Sequence, residues 1–297
     1  MKTRLLALLA MLITLGAHGA AVADELPDYI RFRQDATSTR LESAIRTVTL
    51  PSGQRVDLIG AVHIADDAYY QELNRRFGAY DSVLFELVGD PKGLTAPSGV
   101  TSSSAVSTIQ QTAGQYLKLR FQLDAIDYTR KNMVHADATA EEFDRMQKER
   151  GESMLTLFGR AMQAQMAADM TGNANASTAN GLDTFGLIRI LMSRDSAAEF
   201  KKALAKMLAQ TESLTATMEG ENGSAILSGR NEVVGRKIKE VLANKKQRRI
   251  AVFYGCAHMP GIETSLVKDM KATAAGEEWL AAWTMPKTLP PAESGKP

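Results

Sequence analysis

Residues 82–88 read Ser-Val-Leu-Phe-Glu-Leu-Val, and apolar side chains on both parities require a strand to be covered on both faces. Ile250–Tyr254 is a second run of that kind. A sheet carrying helices supplies such cover. The residues before the first run agree with it. Arg46–Leu50 and Val56–Val62 flank the turn Pro51-Ser52-Gly53-Gln54 and predict a hairpin. Asp66 then reads as the N-cap of a helix with Tyr70, Leu73 and Phe77 at helical spacing and Gly78 at its end, before a strand over Asp81–Val88. Strand, helix and buried strand predict an α/β (α+β) chain with a central mixed β-sheet and flanking helices.

The middle of the chain changes period. Asp90–Ser107 is rich in Gly, Pro, Ser and Thr and reads as a surface loop. Thr139 with Glu142, and Ser196 with Glu199, have the spacing of capping boxes. Between them Met154, Leu157, Phe158, Ala161 and Met162 form an apolar stripe, and the polar tract Thr171–Asn180 reads as a loop. These features predict a large helical insertion at about 110–214 within a single domain of residues 24–285. A helix over Asn231–Ala243 and an edge strand over Trp279–Met285 follow, with a disordered tail at 286–297.

Residues 1–23 have the form of a signal peptide. Lys2 and Arg4 precede the apolar run Leu5–Leu15, and Ala21-Val22-Ala23 gives the small-x-small cleavage pattern. A periplasmic or secreted, soluble protein is expected, with no membrane span in the mature chain. Thirty-five basic against 34 acidic residues give no polyanion-binding footprint, so no nucleic-acid partner is expected. Cys256 is the only cysteine, which excludes intrachain disulfides and thiolate-rich zinc sites.

Three places interrupt the apolar pattern. Gly60-Ala61-Val62-His63 and Gly255-Cys256-Ala257-His258 both read Gly-x-x-His directly after a strand. Loops leaving the carboxyl ends of strands line the ligand crevice of an open α/β sheet, so the two histidines are expected to meet. The third is Glu86, the only charge in its strand. A buried carboxylate needs a proton, a partner or a cation. Arg230 is the partner expected for it: if the helix begins one turn early, Arg230 shares a face with Leu227, Val234, Ile238 and Val241. Two imidazoles and a carboxylate suit a divalent cation with positions left for water and substrate, which is chemistry for hydrolysis of a carbonyl compound. Arg230 is expected to face the developing negative charge or to orient Glu86. His135 and Asp137, before the first capping box, read as loop residues. Cys256 reads as a packing residue, and Met154, Met162, Met166 and Met170 as an apolar face.

Four blocks, Gly60-Ala-Val-His63-Ile, Phe85-Glu86-Leu, Arg230-Asn231 and Gly255-Cys-Ala-His258-Met-Pro-Gly261, resemble in content and order the TraB/PrgY/GumN family, which is similar to the TIKI metalloproteases. The resemblance spans about residues 46–285, and in the helical middle it touches only Gln122–Tyr128 and Val134–Thr139. It implies metal ligands at His63, Glu86 and His258 and site roles for Glu86, Arg230 and Asn231. It further implies a divalent metal ion, manganese or cobalt ahead of zinc, and a peptide or protein substrate. A non-catalytic protein that binds or sequesters a peptide through the same polar cluster is the second expectation, and capture of haem through histidines and methionines is a third.

Overall fold

The computed structural model describes residues 28–94, 117–152, 190, 192–193, 195–209 and 223–287. The signal-peptide segment, the stripe at 154–162, the tract at 171–180 and nearly all of the tail lie outside the described residues, as does the 90–107 segment from residue 95 onward.

In chain order the elements are β1 (Ile30–Gln34), β2 (Ser38–Thr49), β3 (Arg55–Ala61), β4 (Ile64–Ala65), α1 (Asp67–Phe77), β5 (Ser82–Phe85), β6 (Arg120–Phe121), α2 (Gln122–Ala125), β7 (Met133–His135), α3 (Ala140–Glu149), α4 (Ser196–Ala209), α5 (Arg230–Ala243), β8 (Arg249–Gly255), α6 (Met259–Met270) and β9 (Thr273–Pro286). Seven strands form one mixed sheet in the order β1-β2-β3-β8-β5-β7, with β9 paired to β2. This is the expected α/β architecture. The β2–β3 hairpin is antiparallel, with Thr49 opposite Arg55 across the Pro51–Gln54 turn. From β3 onward the pairing is parallel, through β8 and β5 to β7.

Burial explains the sequence pattern. Ile250 to Tyr254 of β8 are all fully buried, as are Val83 and Leu84 of β5. Tyr69, Tyr70, Leu73 and Phe77 of α1, Val234, Ile238 and Leu242 of α5, and Ile262 and Leu266 of α6 join the same core. Phe77 meets Phe253 edge to face, with ring centroids 5.2 Å apart. Gln54 does more than turn the hairpin. Its buried Nε2 donates to the carbonyls of Leu242 and Gln247, at 3.2 and 2.8 Å, and so satisfies the end of α5.

Several boundaries differ from the sequence reading. β5 ends at Phe85, so Glu86 stands just beyond the strand. β9 begins at Thr273, six residues before the expected strand, because its first half pairs with β2 while its side chains face solvent, where no apolar signal is needed. The 110–214 segment is not purely helical: β7 joins the main sheet, and β6 pairs with β4. Short strands of two or three residues carry too few side chains to display a period of two. The Thr139–Glu142 capping box is present. At α4 the expected box is corrected, since Asp195 Oδ1 accepts from the Ala198 N–H at 3.0 Å. Asp66 is the N-cap residue of α1, as expected, but its side chain makes no cap bond and instead accepts from Lys201 Nζ at 2.5 Å and the Thr284 N–H at 2.6 Å, tying α4 and β9 to the start of α1.

Gly60 shows how tightly the β3 end is packed. A Cβ there would meet Cys256 Sγ at 2.9 Å and the Tyr29 carbonyl at 3.3 Å. Gly60→Ala should therefore destabilise the fold by about 1–3 kcal/mol, read as a lower denaturation midpoint at unchanged slope. Adding Cys256→Ala should recover part of the loss, and an unchanged midpoint in Gly60→Ala would contradict this packing.

Candidate active site

The four parallel strands each deliver one polar side chain at their carboxyl ends. Pairing of β3 with β8 sets Ala61 opposite Gly255, so the two Gly-x-x-His segments leave adjacent strands at one level. Glu86 follows β5 on the other side of β8, and Asp137 follows β7 beyond it. His63, His258, Glu86 and Asp137 thus share the sheet edge where α/β folds bind ligands.

Glu86 is the hub. Its Oε2 accepts from the Gly255 N–H at 2.6 Å and its Oε1 from Arg230 Nη2 at 2.5 Å. His258 Nε2 lies 3.6 Å from Oε1, and His63 Nε2 lies 4.0 Å from Oε2. Glycine at 255 makes this approach possible, because a Cβ there would stand 3.0 Å from His63 Nε2 and 3.2 Å from Glu86 Oε2. Burial acts to raise the Glu86 pKa, but the opposing charges of His63, His258 and Arg230, with the Gly255 N–H, lower it to about 2. His258 is pushed down to about 4, chiefly by burial. At neutral pH its ring is uncharged, and Arg230 and the Gly255 N–H keep Glu86 ionised.

Arg230 begins α5, preceded by a wide turn at Ala225–Gly229 that carries the helix back one turn, as the apolar face required. Its guanidinium grips Asp137 with two bonds, Nε to Oδ1 at 2.9 Å and Nη2 to Oδ2 at 2.5 Å. It also reaches Glu86 and, through Nη1, His258 Nε2 at 3.2 Å. Burial works against the guanidinium charge, and Asp137 and Glu86 more than restore it. Four of its five N–H groups have these partners, among them Glu86 Oε1.

Asp137 corrects the sequence reading. Its side chain has no exposed surface and is paired with Arg230 in the ion network, where a loop residue was expected. Ala-Asp-Ala before a capping box carries no local signal of that partnership. His135 belongs to β7 and directs Nε2 at the Leu87 carbonyl, 2.7 Å away, bracing the segment after Glu86. Cys256 is buried and its Sγ bonds the Tyr29 carbonyl at 3.4 Å. Between His63 and the helix, which begins at Asp67 as expected, Ile64–Ala65 pairs with Arg120–Phe121.

Two imidazoles are held from behind by amides. Gln122 Oε1 is 2.9 Å from His63 Nδ1, and Asn231 Oδ1 is 2.8 Å from His258 Nδ1. His63 is the open side of the site, with 58% of its side chain exposed against 5% for His258. Two carboxylates against one guanidinium leave a net negative charge, and two ring nitrogens beside a carboxylate are a donor set suited to a divalent cation. Among the described residues no three His, Cys, Asp or Glu groups are arranged as a ready-made metal site. Arg230 Nη1 meets His258 Nε2 on the side of the ring that a cation would use.

Comparison with known proteins finds no matching family model, curated protein or solved structure.

Acid should weaken this fold in two stages. His258 is depressed below its usual 6.5, so the unfolded chain takes up its proton first and stability falls as pH drops from about 6.5 towards 4. Glu86 is depressed below 4.5, so its contribution, present above that pH, is lost as pH falls towards about 2. Each pKa unit is worth about 1.4 kcal/mol. Denaturation midpoints measured from pH 7 to 4 should fall for the native chain and fall less for His258→Gln; equal slopes would contradict the assignment. Asp137→Ala, which leaves Arg230 half paired in the interior, should cost about 3–5 kcal/mol in the same assay, whereas a loss under 1 kcal/mol would show that the network is dispensable.

Proposed function

We propose that the chain is an exported, divalent-metal-dependent hydrolase of the TraB/PrgY/GumN type, acting on peptide or protein substrates. The observation that supports this reading is the meeting of two imidazole Nε2 atoms within 4.0 Å of one ionised carboxylate at the carboxyl edge of the parallel strands. Export rests on the sequence of residues 1–23, and among the described residues no helix is long and apolar enough to cross a membrane.

His63, Glu86 and His258 would hold the cation, with manganese or cobalt favoured by the resemblance. When bound, such a cation polarises a carbonyl and makes its water acidic near neutral pH. The chain's own groups prepare the site for that. Arg230 and the Gly255 N–H keep Glu86 ionised and aimed between the rings. Asp137 fixes Arg230, and Asn231 fixes His258. The exposed face of His63 is where a substrate would approach, and Glu86, in place of holding the cation, would be the alternative general base.

A second reading has one observation in its favour. Arg230 already neutralises Glu86 and bonds His258, so the cluster is electrically supported without a cation. A non-catalytic protein that binds or sequesters a peptide would use it in that state. Stoichiometric binding of peptide with no product by mass spectrometry would favour that reading.

Cleavage of a peptide library by manganese- or cobalt-loaded protein decides between the two. The native chain should cleave, and His63→Ala, His258→Ala and Glu86→Gln should lose about 10²–10⁴-fold in kcat/KM. Equal cleavage by all four proteins, or none by any, would end the hydrolase reading.

A further inference from the structure

Gln122 and Asn231 perform the same operation on different histidines. The Gln122 backbone N–H donates to the His63 carbonyl at 2.9 Å while its side-chain Oε1 faces His63 Nδ1 at 2.9 Å. Asn231 Nδ2 donates to the His258 carbonyl at 3.3 Å while its Oδ1 faces His258 Nδ1 at 2.8 Å. Each amide residue therefore grips one histidine at two points, its carbonyl and its inner ring nitrogen.

The proton positions follow from what each partner can do. A guanidinium only donates, so Arg230 Nη1 against His258 Nε2 puts the lone pair on Nε2 and the proton on Nδ1, where Asn231 Oδ1 accepts it. At His63 the amide is oriented from its far end. Gln122 Nε2 donates to the buried Tyr128 hydroxyl at 2.9 Å, and with that nitrogen so placed Oε1 faces the ring as an acceptor.

We propose that Gln122 is a positioning residue that holds His63 as the Nδ1–H tautomer, with its Nε2 lone pair towards Glu86, as Asn231 does for His258. His63 is more than half exposed, so packing does not choose its tautomer and an acceptor behind the ring must. The outcome at His63 is an Nε2 lone pair towards Glu86, ready for a cation or for a proton in transit, while the His258 lone pair is held by Arg230 Nη1. The opposite tautomer would present N–H to Glu86 and cancel that readiness. His135 supplies the contrast within the same chain: its Nε2 points at a carbonyl, which only accepts, so its proton is on Nε2. The consequence for hydrolysis rests on the hydrolase reading, whereas the tautomer itself needs neither metal nor substrate.

Long-range proton–nitrogen NMR of the metal-free, full-length chain labelled with ¹⁵N-histidine reads ring protonation directly. At about pH 8 an ordinary imidazole is neutral, and single histidine substitutions assign the signals. The spectrum should show Nδ1–H patterns for His63 and His258 and an Nε2–H pattern for His135. Gln122→Leu, which cannot accept, should return His63 to the tautomer mixture of a solvated ring while His258 stays unchanged. Gln122→Glu, an acceptor only, should keep the Nδ1–H form. An Nε2–H pattern for His63 in the native chain or in Gln122→Glu overturns the proposal, as does an unaltered Nδ1–H pattern in Gln122→Leu. The native chain and Gln122→Glu decide the matter even if the leucine variant does not fold. A failed cleavage assay leaves these spectra standing, and a wrong tautomer leaves the cleavage assay standing.

Discussion

One guanidinium shared by two sunken carboxylates governs the site. Arg230 bonds Glu86 and both oxygens of Asp137, and taking any of these charges out of water is costly unless the others are in place. The network therefore ties together three elements that are distant in sequence: the end of β5, the end of β7 and the start of α5. It also decides the state of the chemistry-bearing groups. Glu86 remains ionised although buried, and His258, lowered chiefly by burial, remains neutral. A structure without Asp137 would leave Arg230 free to swing, and the carboxylate would lose its fixed direction.

The second determinant is topological. β8 is laid down near the end of the chain yet inserts between β3 and β5. Parallel pairing then forces the segments after these strands to the same edge, which is how two histidines 195 residues apart come to flank one carboxylate. The apolar character of β8 on both faces is what makes the central position available to it, since only a strand without polar side chains tolerates helices on both sides.

That logic also explains what the sequence made legible. Strands buried on both faces carry continuous apolar runs, so β5 and β8 were readable, β3 was readable from the turn before it, and an odd charge beside such a run or a glycine-histidine pair after a strand stood out. Glu86, Arg230, His63 and His258 were found in this way. Asp137 and Gln122 were not found as site residues, because a polar residue in a loop or a four-residue helix looks like any solvated one; its meaning comes from a partner far along the chain. β1, the first half of β2 and the outer half of β9 were missed for a related reason. Side chains of β1 and of the outer half of β9 are partly or fully exposed, and the first half of β2 buries the polar Thr39, Glu42 and Ser43, so none of the three shows an apolar pattern, and the pairing that holds them is made by backbone groups.

The central claim is that His63, Glu86 and His258 act as one donor set. Titration calorimetry with manganese on tag-free, chelator-treated protein tests it most directly. The account predicts one ion bound per chain, with binding abolished in Glu86→Gln and strongly weakened in His63→Ala and His258→Ala. Absence of binding to the native chain, or equal binding by the native chain and Glu86→Gln, would contradict it.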